Sequence, residues 1–147
     1  MTINMLHFYN KNYLRYNEYT EWGEGLDQQI DELIKQLSPH IRGSLRGCLE
    51  CHEVCLVCDN SLLIAMSRLL VYPRFNKLVG QIEDVVVDKE YRGEGLGKRM
   101  ISDLIENAKN AGCYKVILWC EPHNEGFYEK SGFTKSESLM RLDLEEK

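Results

Sequence analysis

No apolar stretch in this chain approaches the roughly 20 residues that a membrane-spanning helix needs, so the sequence does not read as a membrane protein. The opening residues Met1 to Tyr9, MTINMLHFY, lack the basic start and apolar stretch of a secretory signal. The last three, Glu145-Glu146-Lys147, are not an address of the Ser-Lys-Leu kind. Basic charge is also short: 18 Lys and Arg against 23 Asp and Glu give a net charge of −5. A nucleic-acid binder gathers cations to neutralise phosphates, and that class is therefore excluded. With three prolines, no repeats and no low-complexity linker, nothing divides the chain. The expectation is one cytoplasmic domain over residues 1–147, with import by an internal signal left open. A content of 44% hydrophobic and 28% charged residues suits a globular domain with a real core.

Cysteine is the exception to this scarcity. Four of the six lie in Cys48-Leu-Glu-Cys51-His-Glu-Val-Cys55-Leu-Val-Cys58, two CxxC pairs around His52. Zinc ribbons separate such pairs by roughly 15–20 residues, so that the chain can fold back around the metal. Here three residues intervene, and Val54–Cys58 is β-prone, which sends Cys55 and Cys58 to opposite faces. No metal site is expected. The cysteines, Cys113 and Cys120 included, read as small buried hydrophobes in a reduced compartment.

Ile30, Leu33, Ile34 and Leu37 recur at helical spacing, with Pro39 as a stop and the acidic run Glu18, Glu21, Glu24 and Asp27 before them. Two apolar runs, Val54–Cys58 and Leu62–Tyr72, flank Asp59-Asn60-Ser61 and predict a hairpin. Pro73 should end the second run, leaving Arg74 to Lys77 as a short basic loop. Ile82 to Asp88 reads as a strand, Tyr91–Gly97 as a glycine-rich turn, and Leu96, Met100, Ile101, Leu104, Ile105 and Ala108 as one face of a helix ended by Gly112. Lys115–Cys120 should be a buried strand, Asn124–Lys130 a short helix stopped by Gly132, and Met140, Leu142 and Leu144 a final strand. The fold class is α/β, with a mixed antiparallel and parallel central sheet flanked by helices.

The residues with the clearest chemistry are Arg92-Gly93-Glu94-Gly95-Leu96-Gly97-Lys98, set between a strand and an amphipathic helix. Glycines let backbone approach a ligand closely, and the N–H groups at a helix start form a pocket for an anion such as pyrophosphate. A Walker A loop needs Gly-x4-Gly-Lys-Ser/Thr, but position 92 is Arg and Arg99 follows Lys98. A dinucleotide fingerprint needs Gly-x-Gly-x-x-Gly, and the third spacing differs here.

Arg92-x-x-Gly95-x-Gly97 after Val85-Val86-Val87 resembles the acetyl-CoA signature of the GNAT N-acetyltransferase family. Gly80-Gln-Ile-Glu-Asp-Val-Val-Val87, Gly112-Cys-Tyr-Lys115 and Asn124-x-x-Phe-Tyr-x-Lys130-x-Gly132-Phe133 are similar to the members that act on glucosamine 6-phosphate. The resemblance is dense from Gly80 to Phe133 and weak before Leu62. It implies a GNAT fold, acetyl-CoA as co-substrate, an amino-sugar phosphate as acceptor, direct transfer in a ternary complex, and a homodimer. It further implies that Val85, Val86 and Val87 meet the pantetheine arm. Arg92, Gly93, Glu94, Gly95, Leu96, Gly97 and Lys98 would hold the pyrophosphate, with Asn124, Tyr128 and Lys130 completing the cofactor site. Tyr128 would point its hydroxyl at the thioester sulfur.

For the sugar, the resemblance implies Glu83 and Asp84, Thr20, and the phosphate-facing cations Arg74 and Lys115. Adjacent strand residues point apart unless a bulge intervenes, so Glu83 and Asp84 need not share a role. Where the family carries an acid beside the strand cysteine, this chain has Leu118-Trp119-Cys120. Glu83 is then the expected base, and Glu121, two residues beyond Trp119, a substitute on the same strand face. Other readings stay open here: the same fold acting on a polyamine or peptide N-terminus, an inactive acyl-CoA-binding module, and a zinc-binding interaction protein.

Overall fold

The structure, a computed structural model, describes residues 5–10, 15–16, 25–37, 52–60 and 62–145. In chain order these form β1 (Met5–Asn10), β2 (Arg15–Tyr16), α1 (Leu26–Leu37), β3 (Glu53–Asp59), β4 (Leu62–Arg74), β5 (Lys77–Val87), α2 (Leu96–Asn110), β6 (Cys113–Ile117) and α3 (Glu125–Glu129). The strands make one six-stranded sheet in the order β2-β1-β3-β4-β5-β6. β1 runs parallel to β3 and β5 parallel to β6, and the remaining pairs are antiparallel. This is the expected mixed sheet. The two N-terminal strands carry no pattern that had marked them in the sequence.

β3 lies inside the sheet, and every residue from Glu53 to Cys58 is buried. A strand covered on both faces needs an apolar side chain at every position, which is why this one reads as a run and not as an alternation. Val54, Leu56 and Cys58 meet Leu26, Ile30, Leu33 and Ile34 of α1. Cys55 and Val57 cluster with Leu96 and Met100 of α2. The two cysteines thus occupy opposite faces, as the strand geometry requires, and burial pushes the Cys58 thiol up to about 12. Cys48 and Cys51 lie outside the described residues. Cys120 departs from expectation, being exposed, because β6 stops at Ile117.

The hairpin between β3 and β4 closes in register Asp59↔Leu62, with Asn60 in the left-handed region at φ 52°. Pro73 does not end β4. The strand runs on to Arg74 and turns through Phe75-Asn76 into β5, so the expected basic loop is a two-residue turn. β3 pairs with β4 only as far as Leu69. Beyond it, among the described residues, no strand flanks the other side of β4, and a proline can sit at such an edge without costing the ladder a donor.

β6 begins two residues before and ends three residues before the expected Lys115–Cys120. None of its residues is buried, since it forms the border of the described sheet. The expected final strand is absent. Residues 134–145 form neither helix nor strand, and Met140, Leu142 and Leu144 are 89%, 83% and 89% exposed. Their alternation is real, but a strand also needs a neighbour for its N–H and C=O groups, and this segment finds none among the described residues.

One polar tie crosses the core. Glu53 is fully buried, and Asn107 of α2 donates its Nδ2 to both carboxylate oxygens at 2.6 Å. Removing a donor to a buried acceptor leaves one of its hydrogen bonds unmade, at a cost of about 1–3 kcal/mol. Asn107→Ala should therefore lower the unfolding free energy by about that much in urea denaturation. An unchanged midpoint would show that the pair contributes nothing.

Candidate functional site

β6 pairs with β5 only between Leu78 and Gln81, yet β5 continues to Val87. The two parallel neighbours part company for the second half of β5. A bulge sits in the freed stretch. The register passes from Arg68↔Glu83 to Met66↔Val86, so Ser67 alone faces Asp84 and Val85, with Asp84 at φ 53°. Such a bulge bends the strand and increases its twist. Between the freed strand and the chain after β6 opens a cavity of about 710 Å³. Val85, Val86 and Val87 form its wall, Glu121, His123, Asn124, Phe127 and Tyr128 the opposite side, and Gln36 and Leu37 from the end of α1 a third edge.

The glycine turn closes one end. Arg92, Gly93, Gly95, Leu96, Gly97 and Lys98 all line the cavity. Gly93 and Gly95 take φ of 84° and 82°, where side-chain-bearing residues are strained. Gly95 is also the N-cap of α2 and brings no side chain to that helix end, so the first-turn N–H groups stay available. Gly97 serves packing: a Cβ there would stand 3.1 Å from Cζ of Phe127. Arg92 donates from Nε to the Val87 carbonyl at 2.9 Å, which keeps its guanidinium beside the turn. The approach to the turn is a short 3-10 helix, Lys89–Tyr91, capped by the Asp88 carboxylate accepting from the Glu90 N–H at 2.9 Å. That bond, helped by the side chain of Gln36 and opposed by partial burial, holds Asp88 below the usual carboxylate range. Tyr91 donates its hydroxyl to Asp59 at 2.8 Å, tying the turn to the β3–β4 hairpin.

At the other end stands Tyr128 in α3. Phe127 and Phe133 meet its ring edge-on, with centroids 4.9 and 6.0 Å away, and fix its orientation. Among the described residues nothing takes its hydroxyl's hydrogen bond. Burial, with the nearby Cys120 thiol adding to it, raises the phenol's pKa, so Tyr128 is a neutral donor at physiological pH. Asn124 is the N-cap of α3 but makes no capping bond with its side chain, and it too lines the cavity.

The acetyltransferase (GNAT) family model matches residues 13–133. The chain belongs to the GNAT family. It is 46% identical over 125 residues to glucosamine 6-phosphate N-acetyltransferase 1 of Oryza sativa subsp. japonica, covering 75% of this chain and 76% of the relative. Against the glucosamine 6-phosphate N-acetyltransferase of Trypanosoma brucei brucei, identity reaches 49% over 97 residues, 64% of this chain and 63% of that one. The match thus spans less than two thirds of the trypanosome relative. The crystal structure of the Trypanosoma brucei acetyltransferase Tb11.01.2886 superposes with a TM-score of 0.67 at 36% identity, covering 82% of this chain and 95% of that one.

In this GNAT domain the cavity gathers most, not all, of the residues expected for the cofactor. Glu94 and Lys130 are exposed and stand outside the lining. Five lining residues were not among those expected at the site: Gln36 and His123, which carried no sequence signal, and Leu37, Tyr91 and Phe127, which read only as parts of a helix face, the glycine-rich turn and the Asn124–Phe133 motif.

The sugar-side residues are more scattered. Glu83 is held by Gln81 Nε2, and Asp84 by Arg68 at 2.6 Å, and neither lines the cavity. The bulge expected as the exception is present, and it gives the two acids different partners. Glu121 does line the cavity, though from the cap of a 3-10 turn (Pro122–Asn124); strand alternation with Trp119 does not apply, since β6 has already ended. Arg74 sits at the hairpin end of β4, and Lys115 pairs with Val79, its ammonium 5.4 Å over the ring of Tyr114. Measured along β5, Arg74's partner Lys77 is roughly 25 Å from Val85 at strand rise. This chain does not bring Arg74 or Lys115 to the cavity. Thr20 lies outside the described residues. Among those described, no three His, Cys, Asp or Glu side chains are grouped to hold a metal, and no helix is long and apolar enough to cross a membrane.

Titration of Tyr128 by NMR should give a pKa above the ordinary tyrosine value of about 10, and Cys120→Ser should bring it down. A value below that of free tyrosine would contradict the buried, thiol-flanked setting.

Proposed function

We propose that this GNAT protein transfers the acetyl group of acetyl-CoA to the 2-amino group of glucosamine 6-phosphate. The products are CoA and N-acetylglucosamine 6-phosphate, the step that feeds UDP-N-acetylglucosamine synthesis. The observation that carries the reading is one continuous cavity running from the glycine turn, past Val85–Val87, to Tyr128. Its chemistry changes along its length as acetyl-CoA does: cationic and N–H-rich at the turn, apolar along the strand, with a single hydroxyl donor at the end. The names of the rice and trypanosome relatives support the sugar phosphate as acceptor.

Arg92, Lys98 and the first-turn amides of α2 hold the pyrophosphate. Val85, Val86 and Val87 flank the pantetheine arm, with Asn124 at its far end. The amine attacks the thioester carbon, a C–N bond forms, the C–S bond breaks to leave a thiolate, and the proton that the acylated nitrogen sheds ends on that sulfur, giving CoA as the thiol. Glu83 as the base that takes the ammonium proton before attack rests on the resemblance, since Gln81 holds it outside the cavity lining, and Glu121, which lines the cavity, is the substitute for the acid replaced by Trp119. Tyr128 steadies the thiolate. A thiol pKa of about 8.5 against about 10 for tyrosine makes full proton transfer uphill by roughly 2 kcal/mol. The raised pKa of Tyr128 adds to that gap, so the hydroxyl acts by hydrogen bonding. Asp84, Arg74, Lys115 and Thr20 as sugar contacts, and Glu94 and Lys130 as cofactor contacts, rest on the resemblance alone.

The protein acts in the cytoplasm as a homodimer. Leu139, Met140, Leu142 and Leu144 support the second copy, since one chain leaves all four in water.

A panel assay of CoA release tests the reading. Glucosamine 6-phosphate should far outrun glucosamine, polyamines and peptide N-termini. Tyr128→Phe should lower kcat with it by roughly 10- to 1000-fold while the KM for acetyl-CoA barely moves. Equal rates with unphosphorylated amines would overturn the acceptor, and an unchanged kcat would reduce Tyr128 to packing.

A further inference from the structure

Helix α1 is fastened to the sheet by two glutamines seven residues apart, a spacing that returns to nearly the same helix face. Gln29 accepts the Leu63 N–H at 2.7 Å, where β4 begins. Gln36 acts where β5 ends. Its Nε2 donates to Asp88 Oδ2 at 3.0 Å, and its Oε1 accepts the Lys89 N–H at 3.2 Å. A single amide thereby grips both the cap residue and the first residue of the 3-10 helix that delivers Tyr91 and Arg92 to the glycine turn. Asp88 is shared: its other oxygen accepts the Glu90 N–H, and its own N–H donates to the Ile64 carbonyl at 2.7 Å. Gln36 also lines the cavity itself, as does Leu37, so the helix end and the turn are two sides of one opening.

From this geometry we infer that Gln36 is a positioning residue for acetyl-CoA: it clasps the end of α1 to the Asp88–Lys89 entry of the glycine turn and so pre-orders the pyrophosphate cradle. The inference rests on the acetyl-CoA reading above. Gln36 touches no reacting atom. Its effect belongs in the affinity for the cofactor, because a turn that is already ordered loses less freedom on binding. The clasp is solvent-exposed and shares its task with the Asp88 cap and the Tyr91–Asp59 bond, so the effect is moderate.

The amide's dual character provides the test. Gln36→Glu keeps an acceptor for the Lys89 N–H but sets a second carboxylate against Asp88. Adding Asp88→Asn restores a donor–acceptor pair in reversed order, and the asparagine oxygen can still accept from the Glu90 N–H. Calorimetry with acetyl-CoA on the full chain should show Kd about 10-fold higher for Gln36→Glu, about 3-fold higher for Gln36→Met, and near wild type for Gln36→Glu with Asp88→Asn. Steady-state kinetics should place the loss in the KM for acetyl-CoA, with kcat within about twofold. Unchanged affinity in Gln36→Glu, or a double variant no better than the single one, would overturn the clasp. If Gln36→Glu proves unfolded, Gln36→Met decides alone, and wild-type affinity in it would overturn the clasp. If the wild-type protein binds no acetyl-CoA, the cofactor reading fails and the clasp with it, an outcome distinct from binding that Gln36 does not influence.

Discussion

The parting of β5 from β6 is the constraint on which the site depends. While the two strands pair, from Leu78 to Gln81, the sheet is continuous and offers no opening. Past Gln81 the bulge at Asp84 and Val85 bends β5, and among the described residues no strand pairs with that edge. A free edge inside a fold is ordinarily a liability, since unpaired N–H and C=O groups need partners. Here it becomes the wall of a cavity, and the turn that follows supplies a second set of free amides at the start of α2. The freed strand and the start of α2 line the same cavity.

Holding such an opening requires a stiff surround. The sheet is clamped between α1 and α2, and β3 at its centre buries side chains on both faces. α2 has two functions at once: Leu96, Met100, Ile101, Leu104 and Ala108 anchor it in the core, while its first turn forms the rim of the cavity. Polar ties then fix the parts that the core does not reach. Gln36, Asp88, Tyr91 and Asp59 link α1, β5, the turn and the β3–β4 hairpin. Phe127 against Gly97 links α3 to α2 and thus Tyr128 to the turn.

Local patterns carried much of this into the sequence. The α1 and α2 faces, the β3–β4 hairpin and the glycine turn could be read because each rests on periodicity or on backbone needs confined to a few neighbours. The failures share a different cause. Met140, Leu142 and Leu144 alternate like a strand, but alternation does not say whether a neighbour exists to pair with. Pro73 looked like a terminator because its flanking edge is free only in three dimensions. Gln36, a cavity residue without a signal, is a polar position whose role arises from partners far along the chain; Asp88 is 52 residues from it. Arg74 and Lys115 are not in the cavity lining, Arg74 standing at the hairpin end of β4.

We propose that the freed half of β5 and the glycine turn together receive acetyl-CoA. Amide hydrogen exchange, residue by residue, with and without acetyl-CoA, tests it most directly. Val85, Val86 or Val87 and the amides of Gly95–Lys98 should gain protection together on binding, while Gln81, already paired with β6, should not change. Binding of acetyl-CoA with no change at Val85–Val87, or with new protection confined to the Arg74–Lys77 end of the sheet, would contradict it.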